Sequence, residues 1–345
     1  MPGFEIGEVI TTSARRMSSW ARLYWTLVRR GIYSPSARQL GGKAMQDWSG
    51  TFGARTTADE AVADRDLSGQ LMIVTGANSG IGFHTARALA SAGARVVFAC
   101  RDSAAGAAAV ERTLAAHPGV LAEVSPLDLG SRQSISDFAQ RIDADSVDTL
   151  ICNAGLFGGP YQEVDGALER TVGVSHVGHF LLVRALLPEL LAQGGGRVVM
   201  VASESHRTPS KLDFDRFPLT AAQYSGFVAY GQAKLCNVLF ASELQRRYGG
   251  EGLTACSLHP GSMIPTNIAR SSSLAGFVMK LISPFTKDLN TGAATSIVCA
   301  THPHLEEISG RYFSDCRPKL PSAEASDVAV AERLWKRTEE WVGAS

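Results

Sequence analysis

The 345-residue sequence has no excess of charge of either sign, its 33 lysines and arginines being matched by 33 aspartates and glutamates. Nothing global therefore draws it to nucleic acid, and any electrostatic partner has to be sought in local clusters. It has no CxxC pair, and none of Cys100, Cys152, Cys236, Cys256, Cys299 and Cys316 combines with a histidine at a spacing that closes a tetrahedral zinc site. No metal and no disulfide framework are expected. The cysteines read instead as small buried hydrophobes in a reducing compartment. No 18 apolar residues run without a charge, and the first thirty residues lack a basic stretch followed by an uninterrupted apolar one. Neither a spanning helix nor a secretory signal is predicted, and a cytoplasmic location is expected.

What is present is a globular composition, 45% hydrophobic and 19% charged, able to bury a large core. The length suits one large domain with an appendage, and the character of the chain changes near residue 67. Between Glu8 and Asp47 no acid occurs, while Arg15, Arg16, Arg22, Arg29, Arg30, Arg38 and Lys43 do. In this basic arm Met17, Trp20, Leu23, Tyr24, Leu27 and Val28 recur at helical spacing. Three readings stand side by side: a helix packed on the body of the protein, an interfacial helix making peripheral membrane contact through residues 14–30, and an organelle transit peptide. Glu5 and Glu8 count against the last. Residues 1–67 are thus read as arm and connector, and 68–345 as the main domain.

From Gln70 onward, short β-branched runs (LMIVT, ARVVFAC, LAEVSPLDL, VDTLICN, RVVMVAS, LTACSLHP, GRYFSD) alternate with helical patterns near 80–92, 103–116, 131–142, 180–191, 228–247 and 290–300. Such alternation specifies a parallel sheet covered by helices on both faces, a doubly wound α/β (Rossmann) fold.

The first strand runs into Thr75-Gly76-Ala77-Asn78-Ser79-Gly80-Ile81-Gly82, which opens directly into a helix. Glycines at 76, 80 and 82 permit a tight turn and let a pyrophosphate approach the first helical N–H groups, where the helix dipole favours negative charge. The second strand ends at Cys100-Arg101. A carboxylate here would hold the ribose hydroxyls of NAD and repel the 2′-phosphate of NADP, whereas Arg101 would attract that phosphate, so NADP(H) is expected over NAD(H). Asp102 is read as a helix N-cap. Asp128 ends the third strand and Asn153-Ala154-Gly155 the fourth, at the carboxyl edge where open α/β sheets bind ligands. Ser203 closes RVVMVAS, and Tyr230 and Lys234 fall four residues apart on one helical face. An ammonium beside a phenol, aided by an oxidised nicotinamide, should favour the phenolate, making Tyr230 an acid/base with Ser203 holding the substrate oxygen.

With TGxxxGxG, NAG, the strand-end serine, YxxxK and His259-Pro260-Gly261 in this order, residues 68–320 resemble the short-chain dehydrogenase/reductase family. The runs ESHR at 204–207 and AYGQAKLCNVLFASELQRR at 229–247 are most similar to the oxidoreductase domain of the WW-domain-containing oxidoreductases, with retinol dehydrogenases next. No WW module can be placed in the arm. The resemblance implies that Thr75, Gly76, Ser79, Ile81, Asp128 and Asn153, along with Pro260 and Gly261, line the cofactor, and that Ser203, Tyr230 and Lys234 are catalytic. Where similar enzymes carry asparagine in a VNHLGHF-like run, this chain has Ser175, which offers one hydroxyl in place of an amide to the water relay behind the lysine. The family's threonine contact to the carboxamide lies closer to its PG than Thr266 does here. The apolar segment 274–285 falls where relatives carry a substrate-covering helix, which suggests a small apolar alcohol or carbonyl substrate of retinoid, steroid or lipid type. His176, His179, His206 and His259 form no ligand cluster and are read as packing residues. A nucleotide-binding regulatory scaffold with little turnover is the alternative function, and a homodimer is an open possibility.

Overall fold

Every position of β1 (Leu71–Thr75) and β4 (Thr149–Cys152) is buried, as a strand covered on both faces must be. They are neighbouring interior strands of an eight-stranded sheet in the computed structural model, which describes residues 52–142, 144–165, 168–261 and 288–343. The basic arm, Thr266 and the apolar segment 274–285 lie outside the described residues.

The sheet order is β10-β9-β8-β7-β4-β1-β2-β3, with β2 Arg95–Cys100, β3 Ala122–Pro126, β7 Arg197–Val201, β8 Thr254–His259, β9 Tyr312–Ser314 and β10 Arg317–Lys319. All neighbours pair in parallel except β10, which turns back antiparallel on β9. The doubly wound reading is therefore correct. The chain winds outward through β2 and β3, then returns to the other side of β1 at β4, leaving a crevice between the carboxyl ends of β1 and β4, the place where such sheets bind ligands.

Alternation along the strands separates two cores. Met72, Val74, Val96 and Phe98 face α2 (Gly80–Ser91) and α8 (Leu289–Thr301), while Leu71, Ile73, Val97 and Ala99 face the opposite side with α4 (Arg132–Arg141) and α5 (Gly178–Ala185). Helix α3 (Ser103–Ala116) is capped by Asp102, whose carboxylate accepts from the Ala105 amide at 2.9 Å, as the sequence suggested. Helix α7 (Gly226–Tyr248) is buried along most of its length because it lies between the sheet and a third apolar cluster that includes α9 (Val328–Val342). No single described helix is long and apolar enough to cross a membrane.

Several features depart from the sequence reading. Upstream of residue 68, Thr57 and Glu60 form a capping box for α1 (Ala58–Val62), and Ala58, Ala61, Val62 and Leu67 join the core. The helix expected over 180–191 starts earlier and breaks: a turn at Arg170–Val172 and a π-turn at Gly173–Val177 lead into α5, and a 66° bend precedes α6 (Leu187–Leu191). Pro188 lacks the N–H that would continue the ladder across that bend. A short hairpin, β5 (Glu163–Val164) with β6 (Leu168–Glu169), and the terminal helix α9 were not predicted. Phe180, Phe240 and Trp335 hold α9 in place with ring centroids 4.9–5.7 Å apart, and His176 Nε2 lies 3.1 Å from Thr338 Oγ1.

Candidate functional site

The glycine turn is shaped by its neighbours. Gly76 adopts φ +67°, and a Cβ on Gly82 would come within 2.5 Å of both Asn153 Nδ2 and Gly76 O, so only glycine lets α2 begin this close to the end of β4. Ser79, the N-cap of α2, makes no side-chain cap bond, and among the described residues nothing lies within 4 Å of the Cβ position of Gly80. A helix start left uncapped by its own side chain fits the pyrophosphate of a dinucleotide. Ile81 and Ala77 are buried beneath this turn, and Asn78 carries its outer edge, with its carbonyl 3.4 Å from Arg112 Nη2.

Thr75 and Asn153 tie the crevice together. The fully buried Thr75 hydroxyl accepts the amides of Asn153 and Ala154 at 2.9 Å each, and the Asn153 amide group donates to Thr75 O at 2.8 Å. Thr75 therefore offers its side chain to β4, and His179 Nε2 sits 2.9 Å from the same hydroxyl. Further out, Arg101 and Asp128 line one cavity of about 500 Å³ with Gly130, Val164, Arg170 and Val174. Asp128 accepts the Gly130 amide at 2.9 Å. Arg170, a second cation in this cavity, carries no signal in the sequence, because the turn that presents it follows the unpredicted hairpin. Pro260 and Gly261 close β8, where Gly261 has φ +126°.

Ser203, Tyr230, Lys234 and Ser175 come together at the far side of the crevice. Burial pushes the Tyr230 phenol up, and the neighbouring Ser203 side chain only partly offsets it, so the net shift is upward. Lys234 Nζ stands 5.6 Å from the Tyr230 ring centroid. Lys234 is itself pushed down to about 8 by burial, and its Nζ donates to Val201 O at 2.9 Å. Asn237 Nδ2 donates to the same carbonyl at 3.3 Å. Ser175 Oγ accepts the Leu156 amide at 3.3 Å, and a Cβ on Gly155 would lie 3.2 Å from Lys234 Nζ and 3.5 Å from Ser175 Oγ, which places serine, lysine and the Asn153–Gly155 turn at one point. Phe157, 37% exposed, sets its ring edge-on to Tyr230 at 4.9 Å and gives the approach an apolar wall.

Ser203 stands on a turn that is held from both sides. Its hydroxyl accepts the Ser205 amide at 3.2 Å. On one side Gly231, the residue after Tyr230, packs against the backbone carbonyls of Thr208 and Ser205. On the other, Glu204 accepts from Tyr312 Oη at 3.1 Å, Lys319 Nζ at 2.9 Å and Arg207 Nε at 2.9 Å. A glycine inside an otherwise regular helix is the sequence signal for such a close approach. The histidines read as packing residues are buried, and burial pushes His176 to about 3 and His179 to about 4. All six cysteines are buried and free. Among the described residues no cluster could hold a metal ion.

Comparison with known proteins gives consistent matches. Residues 70–214 match the family model for short chain dehydrogenase. The WW domain-containing oxidoreductase of Gallus gallus is 41% identical over 299 residues, covering 84% of this chain and 72% of that protein. Retinol dehydrogenase 12 of Homo sapiens is 40% identical over 279 residues, covering 80% and 87%. Among solved structures, an uncharacterized protein from Mycobacterium paratuberculosis is 32% identical with a TM-score of 0.66, covering 82% of this chain and 97% of that one. The Pseudomonas aeruginosa RhlG/NADP active-site complex, 23% identical with a TM-score of 0.58 over 75% and 98%, shares the fold.

Proposed function

The chain belongs to the short-chain dehydrogenase family, and from that membership we propose that it is an NADP(H)-dependent oxidoreductase interconverting an alcohol and a carbonyl on a small apolar substrate. The observation that carries this reading is the placement of Ser203 and Tyr230 beside the buried Lys234, at the carboxyl edge of the sheet and across the crevice from the glycine turn. When bound, the nicotinamide supplies the hydride for reduction or accepts it in oxidation.

The chain's own residues handle the oxygen. Ser203 holds the substrate oxygen through its hydroxyl, and Tyr230, whose proton is retained by burial, donates that proton as charge develops on the oxygen during carbonyl reduction. In alcohol oxidation the same phenol oxygen takes the proton back. Lys234, fixed by Val201 O, supplies positive charge near the phenol, and the Ser175 hydroxyl lies on the Lys234 side of the Asn153–Gly155 turn. Glycines 76, 80 and 82 with the start of α2 cradle the pyrophosphate, Asn153 and Asp128 flank the nucleoside, and Arg101 and Arg170 make the outer cavity favourable for a 2′-phosphate. Phe157 beside Tyr230 favours an apolar substrate, in line with the retinol dehydrogenase names of the relatives.

The test is Tyr230→Phe assayed by hydride transfer from NADPH to a panel of apolar aldehydes and ketones. A loss of roughly 10²-fold or more in kcat, with NADPH affinity nearly unchanged, is expected from removal of an acid/base. Turnover within about ten-fold of the parent excludes Tyr230 from that role.

A further inference from the structure

We propose that His206 is a positioning residue for Ser203, bridging the Ser203 carbonyl to the Ser322 amide as a neutral Nδ1–H imidazole and so fixing the turn that presents the serine hydroxyl to Tyr230. The proposal rests on the assignment of Ser203 and Tyr230 to the chemistry.

The tautomer follows from the partners. Ser322 N–H can only donate, and it does so to His206 Nε2 at 3.1 Å, so Nε2 carries no proton. The ring proton therefore resides on Nδ1, which donates to Ser203 O at 2.7 Å. The His206 backbone amide donates to the same carbonyl at 3.0 Å, so Ser203 O is held by two donors from one residue. The ring is fully buried and lies against Tyr312 at 4.9 Å. Burial pushes it down to about 4, so the bridge keeps its protonation state throughout the neutral range. Rotation of the Ser203 peptide, which would swing the hydroxyl away from Tyr230, requires breaking both bonds inside a closed packing arrangement. A merely space-filling histidine would not need a donor and an acceptor satisfied at opposite ends of its ring.

The experiment compares His206→Phe, His206→Asn, Ser203→Ala and the Ser203→Ala/His206→Phe double variant in NADPH-dependent hydride transfer. Phenylalanine keeps the ring packing and removes both bonds; a fall in kcat of roughly ten-fold or more, with NADPH affinity within about two-fold of the parent, is expected from lost orientation. Asparagine retains a donor for Ser203 O and should recover kcat to within about three-fold of the parent. The double variant should be no slower than Ser203→Ala alone, because His206 acts through the serine. Multiplying losses in the double variant, or parent-like kcat with only a lowered Tm in His206→Phe, overturn the proposal. If Ser203→Ala itself turns over at the parent rate, it is the reading of the site that fails. Nitrogen-15 spectra of the histidine rings, assigned by difference from His206→Asn, need no turnover: an Nδ1–H tautomer persisting from pH 8 to about 5 is expected, and an Nε2–H tautomer or a charged ring at pH 7 overturns the assignment.

Discussion

Substituting Gly231 by alanine sets two physical effects of opposite sign against each other. In a helix interior alanine is favoured over glycine by about 0.5–1 kcal/mol, so propensity alone predicts a more stable protein. Gly231 has ordinary helical backbone within α7, and nothing in its conformation demands glycine. Its surroundings do: a Cβ there would stand 1.6 Å from Thr208 O and 3.0 Å from Ser205 O. Restoring van der Waals separation calls for a displacement of roughly 1.5–2 Å between α7 and the turn. The obstructing atoms are backbone and cannot rotate aside. Overpacking of this kind costs about 1–3 kcal/mol, which exceeds the propensity gain. The same displacement separates Tyr230 from Ser203, and a misplacement of about 1 Å is enough to lower turnover roughly 10²-fold. Gly231→Ala should therefore show a Tm lowered by a few degrees and a kcat lowered much more than its NADPH affinity. A variant with raised Tm and undiminished turnover would refute the reasoning, since it would mean that the turn yields freely.

Arg101→Asp should move the ratio of NADPH to NADH dissociation constants about ten-fold or more toward NADH, measured by equilibrium titration; an unmoved ratio makes Arg101 a bystander to cofactor choice. Burial pushes Lys234 down to about 8 from an ordinary lysine value of 10.5, so between those values the unfolded chain binds more protons than the folded one and stability rises with pH across that window. In denaturant titrations Lys234→Met should remove this rise, the parent gaining roughly 2–3 kcal/mol on the variant from pH 8 to 10, and a flat difference contradicts the shift. Ser175→Asn is expected to preserve or raise turnover while lowering Tm, because the site is fully buried and overpacking costs about 1–3 kcal/mol; a large loss of kcat at unchanged stability would show that the pocket is built around the serine.

The legible parts of the molecule are those whose physics is local. Buried strands such as β1 and β4 announce themselves as apolar runs, and the glycine turn, Ser203 and the Tyr230/Lys234 pair are fixed by position at strand ends or by helical spacing. What the sequence withheld depends on contacts between distant segments. The raised pKa of Tyr230 reflects burial by the whole fold, which residue spacing does not encode. The tie from Thr75 to Asn153 and Ala154 spans nearly eighty residues, and the bridge from Ser203 to Ser322 runs through a histidine that looked like packing. Helix α9 follows no strand partner and falls outside an alternation-based reading, although Ala331, Leu334, Trp335 and Thr338 recur at helical spacing.

The clamp on the Ser203 turn has a consequence for the order in which the site comes into being. Ser203, Tyr230 and Lys234 all precede residue 235, yet three of the groups that hold the serine's turn, Tyr312, Lys319 and Ser322, come roughly 80–90 residues later in synthesis. On the proposed reading, a chain still on the ribosome carries Ser203, Tyr230, Lys234 and the glycine turn before the segments that hold the serine's turn have been made. In the proposed mechanism the serine's turn is complete only once these later segments have joined the sheet.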